Sequence, residues 1–394
     1  MGALKSQRKR MAKTRRINPD RVRSFVENVV GDDMHAKRVL SLGNAVVGAM
    51  FAASLSIHAI GQGLAASQRT MRKHGVKQVD RLLSNGKLDV WSIFAAWVPF
   101  VVGQRKEVVV ALDWTEFDKD DHSTIALYLV TSHGRATPLL WRTVKKSELK
   151  DARNGHEDAV LLRLHEVLPR DVRVTVLADR AFGDHTLYDW LQEIGWDFAI
   201  RFRECILVTN AAGTSKPASE WLFPTGRARM LRGVRVTQNM ASIPAAVLVK
   251  APRMKEAWCI ATSRSDLTAA QVTKLYGRRF TIEETFRDQK DIRFGLGLSA
   301  THIRNCARRD RLLLIAAMAE ALLVLLGAAG EAANLDRMLQ TNTSKKRQLS
   351  LFRQGLIWYE FLPGLKEEHA RLLMREFDRL ISAHAVFKAA YGIL

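Results

Sequence analysis

The sequence predicts an α/β protein: a mixed sheet interrupted by a short β-rich segment, with a helical unit before it and a helical region after it. Continuous apolar runs that end at acidic residues occur between residues 106 and 203, and such runs indicate buried strands. Apolar residues recur at helical spacing before residue 100 and again after residue 311. Short β-like runs broken by prolines fill residues 204–266.

The charge of the chain favours a polyanionic partner. Its 394 residues, enough for two or three domains, include 61 Lys and Arg and give a formal net charge of +21. Nucleic acid is the first candidate and an anionic membrane surface the second. Cys205, Cys259 and Cys306 have no paired spacing, so neither a zinc site nor a disulfide framework is implied, and a reducing cytoplasm fits.

Two apolar stretches, 45–66 and 312–330, are long enough to resemble membrane spans. The first contains His58, Gln62 and several glycines, and the second contains Glu320 and follows three arginines. Alanine-rich runs with such polar residues are more often buried helices of a globular protein. We therefore expect both to belong to the core, with no membrane partner.

The N-terminal part is predicted to be a basic arm followed by helices. Residues 1–23 carry nine Lys and Arg against one acid, which suits either an arm lying along phosphates or a solubilising tail. Helical spacing covers 39–50, 55–64 and 76–83, with a short break at 65–67.

The segment 68–84 is strongly basic and predicts a helix-turn-helix-like DNA reader. A merely solvated basic surface is the alternative, because many surface helices are basic. The residues predicted to recognise a DNA end are Arg69, Arg72, Lys73, Lys77, Gln78 and Arg81.

The central part reads as β-β-β-α-β-α-β. The apolar run 108–112 predicts a buried strand that ends at Asp113, and the run 172–178 predicts another that ends at Asp179. The remaining predicted elements are strands at 124–131, 138–144 and 198–202 and helices at 155–168 and 185–194, with a turn at His133-Gly134. Open α/β sheets place their sites at such strand ends.

One helix, predicted over 274–290, places Tyr276, Arg279, Glu283 and Lys290 on one face. The other side, with Leu275, Ile282 and Phe286, can dock on a core. A carboxylate among cations and a hydroxyl suits a metal-held phosphodiester. A solvated face with Glu–Arg pairs is the alternative from helix charge patterning alone.

Asp113, Asp179 and Glu283 are the candidate catalytic metal ligands. Three converging carboxylates would bind two Mg²⁺ ions roughly 4 Å apart, one activating water or a 3′-hydroxyl and one stabilising the leaving oxygen. Magnesium fits because the ligands are hard oxygens with no His or Cys at ligand spacing nearby. The adjacent Glu284 is the competing choice on the helix.

The sequence resembles the DDE transposases of the insertion-sequence-four family, the cut-and-paste type of composite bacterial transposons. The resemblance covers nearly the whole chain. It rests on three motifs and on the basic helix, namely Val110-Ala-Leu-Asp113-Trp-Thr, Leu177-Ala-Asp179-Arg-Ala-Phe-Gly, the Tyr-x2-Arg-x3-Glu-x6-Lys signature from Tyr276 to Lys290, and Lys73-His-Gly-Val-Lys-Gln-Val-Asp-Arg-Leu-Leu-Ser-Asn85. The signature spacing from Tyr276 selects Glu283 over Glu284.

The resemblance implies an RNase H-like catalytic domain interrupted by a β insertion, acting as a homodimer that synapses two transposon ends on double-stranded DNA. Such enzymes nick a strand, form and reopen a hairpin, and join the target. Their metal ligands would correspond to Asp113, Asp179 and Glu283, with Mg²⁺ as cofactor and Mn²⁺ expected to substitute. The implied location is the bacterial cytoplasm, in association with the nucleoid.

The same resemblance assigns DNA contacts around the cleaved end. Tyr276, Arg279, Lys290 and Arg201 match phosphate-binding positions of the family. Trp258 matches a tryptophan that stacks on a base flipped out during hairpin formation, for which an aromatic plane is suited. A core tryptophan is the alternative. The short β insertion and the basic opening arm depart from the family pattern.

The resulting division of the chain has five parts, and two other functions remain as alternatives. The parts are a basic arm and helical DNA-binding domain (1–100), the first part of the RNase H-like core (101–203), a β insertion (204–266), the second part of the core with the catalytic helix (267–310) and a helical region for dimerisation and synapsis (311–394). The alternatives are a non-catalytic DNA-binding inhibitor or domesticated copy, and a Mg²⁺ nuclease of the same fold.

Overall fold

The computed structural model describes residues 17–237, 239–341, 343–344 and 347–382. Most of the predicted basic arm and part of the polar loop near residue 345 lie outside the described residues. The N-terminal helices are α1 (Pro19–Val30), α2 (Ala36–Ala52), α3 (Ile57–Gln68), α4 (Arg72–Ser84) and α5 (Val90–Val102).

The break between α3 and α4 lies later than the sequence predicts. Residues 65–67 belong to α3, since alanine favours the helix interior. The helix ends instead at Arg69, whose left-handed backbone (φ 56°) lets its N–H reach the carbonyls of Ala65 and Ala66. The basic segment therefore splits into a turn carrying Arg69 and the helix α4.

Helices α3 and α4 pack through two glycines. A Cβ on Gly75 would lie 2.1 Å from the carbonyl oxygen of Gly61, and a Cβ on Gly61 would lie 2.4 Å from the Cα of Val76. Only glycine allows two backbones to approach this closely. The packing fixes α4 against α3 while leaving its basic side outward.

The core is a ten-stranded open mixed sheet, as the α/β prediction requires. The strand order is β3-β2-β1-β4-β5-β10-β9-β8-β6-β7, with β1–β4 and β4–β5 parallel and the other pairs antiparallel. The strands are β1 (Glu107–Phe117), β2 (His122–Val130), β3 (Ala136–Lys145), β4 (Arg173–Ala178), β5 (Asp197–Phe202), β6 (Leu207–Thr209), β7 (Ser215–Pro217), β8 (Arg229–Val236), β9 (Ala241–Val249) and β10 (Trp258–Thr262).

The β-rich segment 204–266 extends this same sheet. Strand β10 pairs antiparallel with β5, and β9 pairs with β10, so β6 to β10 continue from the edge that β5 would otherwise expose. An unpaired edge strand offers free backbone donors and acceptors, and β10 satisfies them.

Strand β1 does not end at Asp113, contrary to the prediction from the apolar run. It continues to Phe117 because residues 113–117 pair with 122–126 of β2. What ends near Asp113 is the parallel pairing with β4, whose last matched pair is Leu112 with Ala178. Asp113 therefore lies beside Asp179, which follows β4 directly.

Two helices, α6 (Arg153–Val167) and α7 (His185–Glu193), connect the central strands. After the sheet follow α8 (Ala269–Gly277), α9 (Thr281–Lys290), α10 (Cys306–Ala332), α11 (Leu351–Phe361) and α12 (Glu367–Ser382). By length and composition α10 could cross a membrane, but 94% of its most apolar window is buried inside the protein. The interpretation of 312–330 as core is confirmed by this burial.

Candidate active site

Four neighbouring strands each contribute one predicted site residue. Asp113 lies in β1, Asp179 follows β4, Arg201 lies in β5 and Trp258 begins β10. The register places them at one end of the sheet, because Leu112 pairs with Ala178 and Ala178 pairs with Ile200. Residues separated by up to 145 positions in the chain thus form one row.

The helix predicted over 274–290 is divided in two by a tight 3₁₀ turn. Helix α8 ends at Gly277, residues 278–280 form the turn, and α9 follows. The backbone stays right-handed throughout, so Arg279 and Glu283 remain neighbours on one side. Ile282 and Phe286 are buried, as predicted, and Leu275 is half-buried.

Arg279 bridges two of the three predicted metal ligands. Its Nη1 lies 2.9 Å from Oδ2 of Asp113, and its Nη2 lies 2.6 Å from Oε1 of Glu283. The arginine is only 6% exposed and the side chain of Asp113 17%, whereas that of Glu283 is 45% exposed, so the contact with Asp113 is the better shielded from water. Its planar guanidinium can donate in two directions at once, which an ammonium cannot do equally well.

The pKa of Asp113 reflects its burial and the charges around it. Burial raises the pKa of Asp113 to about 6; Arg279 opposes this, whereas Asp179 and Glu283 add to it. Asp179 accepts a hydrogen bond from the backbone N–H of Ala181 (2.8 Å), which fixes the carboxylate at the start of the following turn.

Glu283 and its neighbour Glu284 contact different arginines. Glu283 shares Arg279 with Asp113. Glu284 instead pairs with Arg287 (2.9 Å) and Arg135 (3.7 Å). The side chain that reaches Asp113 through Arg279 is therefore the one selected by the signature spacing.

The donor chemistry at this end of the sheet fits a hard divalent cation. Asp113 and Glu283 share one guanidinium, with Asp179 beside Asp113. Burial, and to a lesser degree the charges of Asp179 and Glu283, raise the pKa of Asp113, and a bound cation would favour its ionised form. In the described part of the chain, no three His, Cys, Asp or Glu side chains are arranged to hold a metal as they stand. Asp113 and Glu283 would first have to leave Arg279.

Of the predicted ridge, Tyr276 stays beside Arg279, with which its hydroxyl interacts, whereas Lys290 lies apart. Tyr276 is 1% exposed, and its ring packs edge-on against Trp258 at 5.0 Å. Lys290 lies at the far end of α9, where its Nζ donates to the carbonyl of Glu116 (2.7 Å) and lies over the ring of Phe117 (4.5 Å). Burial, and then the charge of Arg309, lower the pKa of Lys290 to about 8.

Trp258 is half-buried beside the same turn. Its ring contacts those of Tyr276 and Phe280, with centroid distances of 5.0 and 5.9 Å. The side chain is partly exposed and also packs against the hydrophobic core. Both the base-stacking role and the core role therefore stay as predictions.

Arg201 is engaged by an exposed acid that the sequence did not indicate. Its Nη2 donates to Oε2 of Glu256 (2.7 Å) and to the carbonyl of Ala257 (3.0 Å). Arg180, which follows Asp179, donates from Nη1 to the same oxygen of Glu256 (3.0 Å). Arg180 and Glu256 are 76 positions apart in the chain, so the sequence does not indicate that they form a pair. The only signal was that Arg180 follows Asp179 and that Glu256 lies two residues before Trp258.

Residues 104–320, more than half of the chain, match the family model described as the transposase DDE domain. The chain belongs to this family. The predicted DDE transposase is thereby confirmed, and transposase function with a DNA substrate follows from the family. Transposases of this family generally use divalent metals. No curated protein matches the chain.

On the other face of β1, the DDE domain holds a buried acid that sequence reasoning missed. Trp114 donates from its indole Nε1 to Oε1 of Glu157 in α6 (2.7 Å), and the guanidinium of Arg153 lies over the indole at 4.9 Å. Burial raises the pKa of Glu157 to about 7. These contacts fix Trp114, the residue that follows Asp113 in β1, on the face of the strand opposite Asp113.

Outside the DDE domain, the α3–turn–α4 unit presents the predicted DNA-end residues. Among the described residues, none forms an ion pair with Arg69, Arg72, Lys73, Lys77 or Arg81, and all five are exposed, whereas Gln78 is half-buried. The acid of α4, Asp80, pairs with Arg308 of α10 instead (2.7 Å). The cations of α4 are thus left facing solvent.

Proposed function

We propose that this transposase carries out Mg²⁺-dependent cut-and-paste transposition in the manner of the insertion-sequence-four family. The observation that carries the proposal is the bridge from Arg279 to Asp113 and Glu283 beside Asp179, within the family-matched region. It joins two of the three proposed metal ligands to the arginine of the signature, which is itself buried. We further propose that the protein acts in the bacterial cytoplasm at the nucleoid.

The proposed roles follow the chemistry of the side chains. Asp113, Asp179 and Glu283 would hold the divalent ions, which when bound activate the attacking hydroxyl and stabilise the leaving oxygen. Arg279, once separated from the carboxylates, has a fixed pair of donors for a phosphate oxygen. The buried hydroxyl of Tyr276 lies among these groups.

Arg201 and Lys290 would bind phosphates on either side of the cluster, as the family resemblance implies. The reduced pKa of Lys290 still leaves it mostly protonated at pH 7. Trp258, at the start of β10, would stack on an unpaired base when a hairpin forms.

The exposed cations of α4 support the proposal that the N-terminal helices bind the transposon ends. A helix docked in the major groove reads base edges, while flanking Lys and Arg contact phosphates. We propose that Arg69, Arg72, Lys73, Lys77, Gln78 and Arg81 form this contact. The C-terminal helices are proposed to join two copies in a synaptic homodimer.

The proposal is tested with the purified chain, Mg²⁺ and labelled DNA carrying the ends of its own element. Denaturing gels should show nicked, hairpin and strand-transfer products. Glu283→Ala should abolish them and leave end binding intact, because Glu283 is half-exposed and its loss does not unpack the core. Glu284→Ala is the matched control and should retain activity, since Glu284 faces Arg135 and Arg287.

Other products would identify a different function. Cut ends without hairpins or joined molecules would indicate a nuclease of the same fold. DNA that is bound but uncut with either Mg²⁺ or Mn²⁺ would indicate a non-catalytic binding protein. Loss of folding in Asp113→Ala or Asp179→Ala would mean that the residue is structural.

A further inference from the structure

The side chain of Glu256 occupies a position between two arginines next to Asp179. Arg180 and Arg201 both donate to its Oε2, at 3.0 and 2.7 Å. Glu256 lies in the connection between β9 and β10, two residues before Trp258. Its side chain is 51% exposed, and the two guanidiniums hold its pKa below its ordinary value.

The two arginines offer more donors than one carboxylate oxygen can use. Both converge on Oε2 of Glu256, and no hydrogen bond to Oε1 is formed among the described residues. The Nε of Arg201 is buried and has no hydrogen-bond partner within the described chain. A phosphate group presents several oxygens to the same donors and matches forked guanidinium geometry better.

The surroundings also favour an anion from outside. The side chain of Arg201 is 17% exposed, so its charge is only partly solvated, whereas within the described residues Glu256 is held only by the two arginines. An exposed carboxylate on a loop is easily displaced, because exposed ion pairs contribute little to stability. Arg180 directly follows Asp179 in the chain, so an anion bound to Arg180 would lie beside the proposed cleavage site.

We propose that Arg180 and Arg201 form a clamp for a DNA phosphate and that Glu256 closes this clamp by occupying the phosphate position until DNA displaces it. The inference rests on the proposed function, and it adds Arg180 as a phosphate ligand and Glu256 as an internal competitor. Removing the charge of Glu256 should therefore open the clamp without touching the carboxylates that would hold metal.

The first test uses inorganic phosphate as the probe, with chloride at equal ionic strength as reference. Melting temperatures of the full chain are compared for wild type, Glu256→Gln and Glu220→Gln. Glu220 is an exposed acid without an ion pair among the described residues. Glu220→Gln therefore has the same net charge as Glu256→Gln but breaks no contact with an arginine. Phosphate should stabilise Glu256→Gln by several degrees more than the other two proteins. An equal response of all three would overturn the clamp.

The second test measures binding of a fluorescent duplex oligonucleotide by anisotropy. Glu256→Gln should bind about threefold to tenfold more tightly than Glu220→Gln, as removal of a competing charge predicts. In an Arg180→Ala background the same substitution should have a smaller effect, because only Arg201 is then left for Glu256 to occupy. Tightening that is undiminished without Arg180 would overturn its assignment as a ligand.

The two tests separate the clamp from the proposed function. A selective phosphate response in Glu256→Gln, together with no strand cleavage by wild type, would uphold the clamp and reject the proposed cut-and-paste activity. Cleavage and joining by wild type, together with identical phosphate responses of Glu256→Gln and Glu220→Gln, would reject the clamp alone.

Discussion

The guanidinium of Arg279 lies 2.9 Å from the carboxylate of Asp113, on a side chain that is almost completely buried. The contact lowers the pKa of Asp113, but burial outweighs it and leaves that pKa at about 6. The arginine therefore offsets only part of the cost of burying this carboxylate. A divalent cation at Asp113 would offset more of that cost.

Arg279→Ala should destabilise the metal-free protein by about 3 kcal/mol, because it leaves two carboxylates without their shared cation. Added Mg²⁺ should restore part of this loss, since it supplies positive charge at the same carboxylates. Urea unfolding with EDTA and with Mg²⁺ measures both effects. The control is Arg287→Ala, an exposed partner of Glu284, which should cost less than about 1 kcal/mol and show no such rescue. Equal losses in the two variants would contradict the role given to Arg279.

Glu157→Gln should change how stability depends on pH. Burial raises the pKa of Glu157 from 4.5 to about 7, so the folded wild type keeps a proton that the unfolded chain releases. This group therefore stabilises the fold below pH 4.5, and the contribution is lost as pH rises towards 7. Glutamine still accepts from Trp114 and never ionises, so the variant should gain on the order of 2–3 kcal/mol over wild type between pH 4.5 and 8. Parallel unfolding curves in EDTA across that range would refute the expectation.

Gly75→Ala should disrupt the α3–α4 unit. The new methyl would lie 2.1 Å from a backbone oxygen of Gly61, so the helices must separate, at a cost of about 2 kcal/mol or more. In Gly155→Ala, the methyl in α6 meets nothing within 4 Å, and this variant should be stabilised by about 0.5–1 kcal/mol. Thermal unfolding distinguishes them. A neutral Gly75→Ala would mean that the two helices are not packed this closely.

Lys77→Ala and Arg81→Ala should each weaken binding of the transposon end and reduce its salt dependence by about one counterion. Both side chains are exposed on α4 without an ion pair among the described residues. Lys150→Ala removes an equal charge from an exposed position outside α4 and should leave the salt slope unchanged. Anisotropy titrations at several salt concentrations provide the comparison. An effect of Lys150→Ala as large as the other two would assign binding to net charge alone.

The strands and the helix of the carboxylates could be predicted because their signals are local. An apolar run, a turn at His133-Gly134 and the spacing from Tyr276 to Glu283 are all contained in short stretches of sequence. The same local reading misplaced the end of β1, because the partner that prolongs it past Asp113 lies in β2.

Contacts between distant segments could not be predicted in this way. The pairing of β10 with β5 turned an apparent interruption into a continuation of the sheet. The bridge from Arg180 to Glu256 depends on that pairing, since it brings the connection before β10 beside the end of β4. Neither apolar periodicity nor charge patterning encodes which exposed acid meets which arginine.

Hydrogen bonding is continuous from β1 through β4 and β5 to β10, and it fixes the distances between the site residues that these strands carry. Neighbouring strands are about 4.8 Å apart, so the three gaps from Asp113 to Trp258 span roughly 14 Å. A nucleic-acid strand laid across the sheet would meet the carboxylates, the arginines and the indole at successive positions along its backbone. The distance from the cleaved bond to the stacked base would then be set by the backbone spacing of the sheet, and changes in loop length beyond β10 would leave it unaltered.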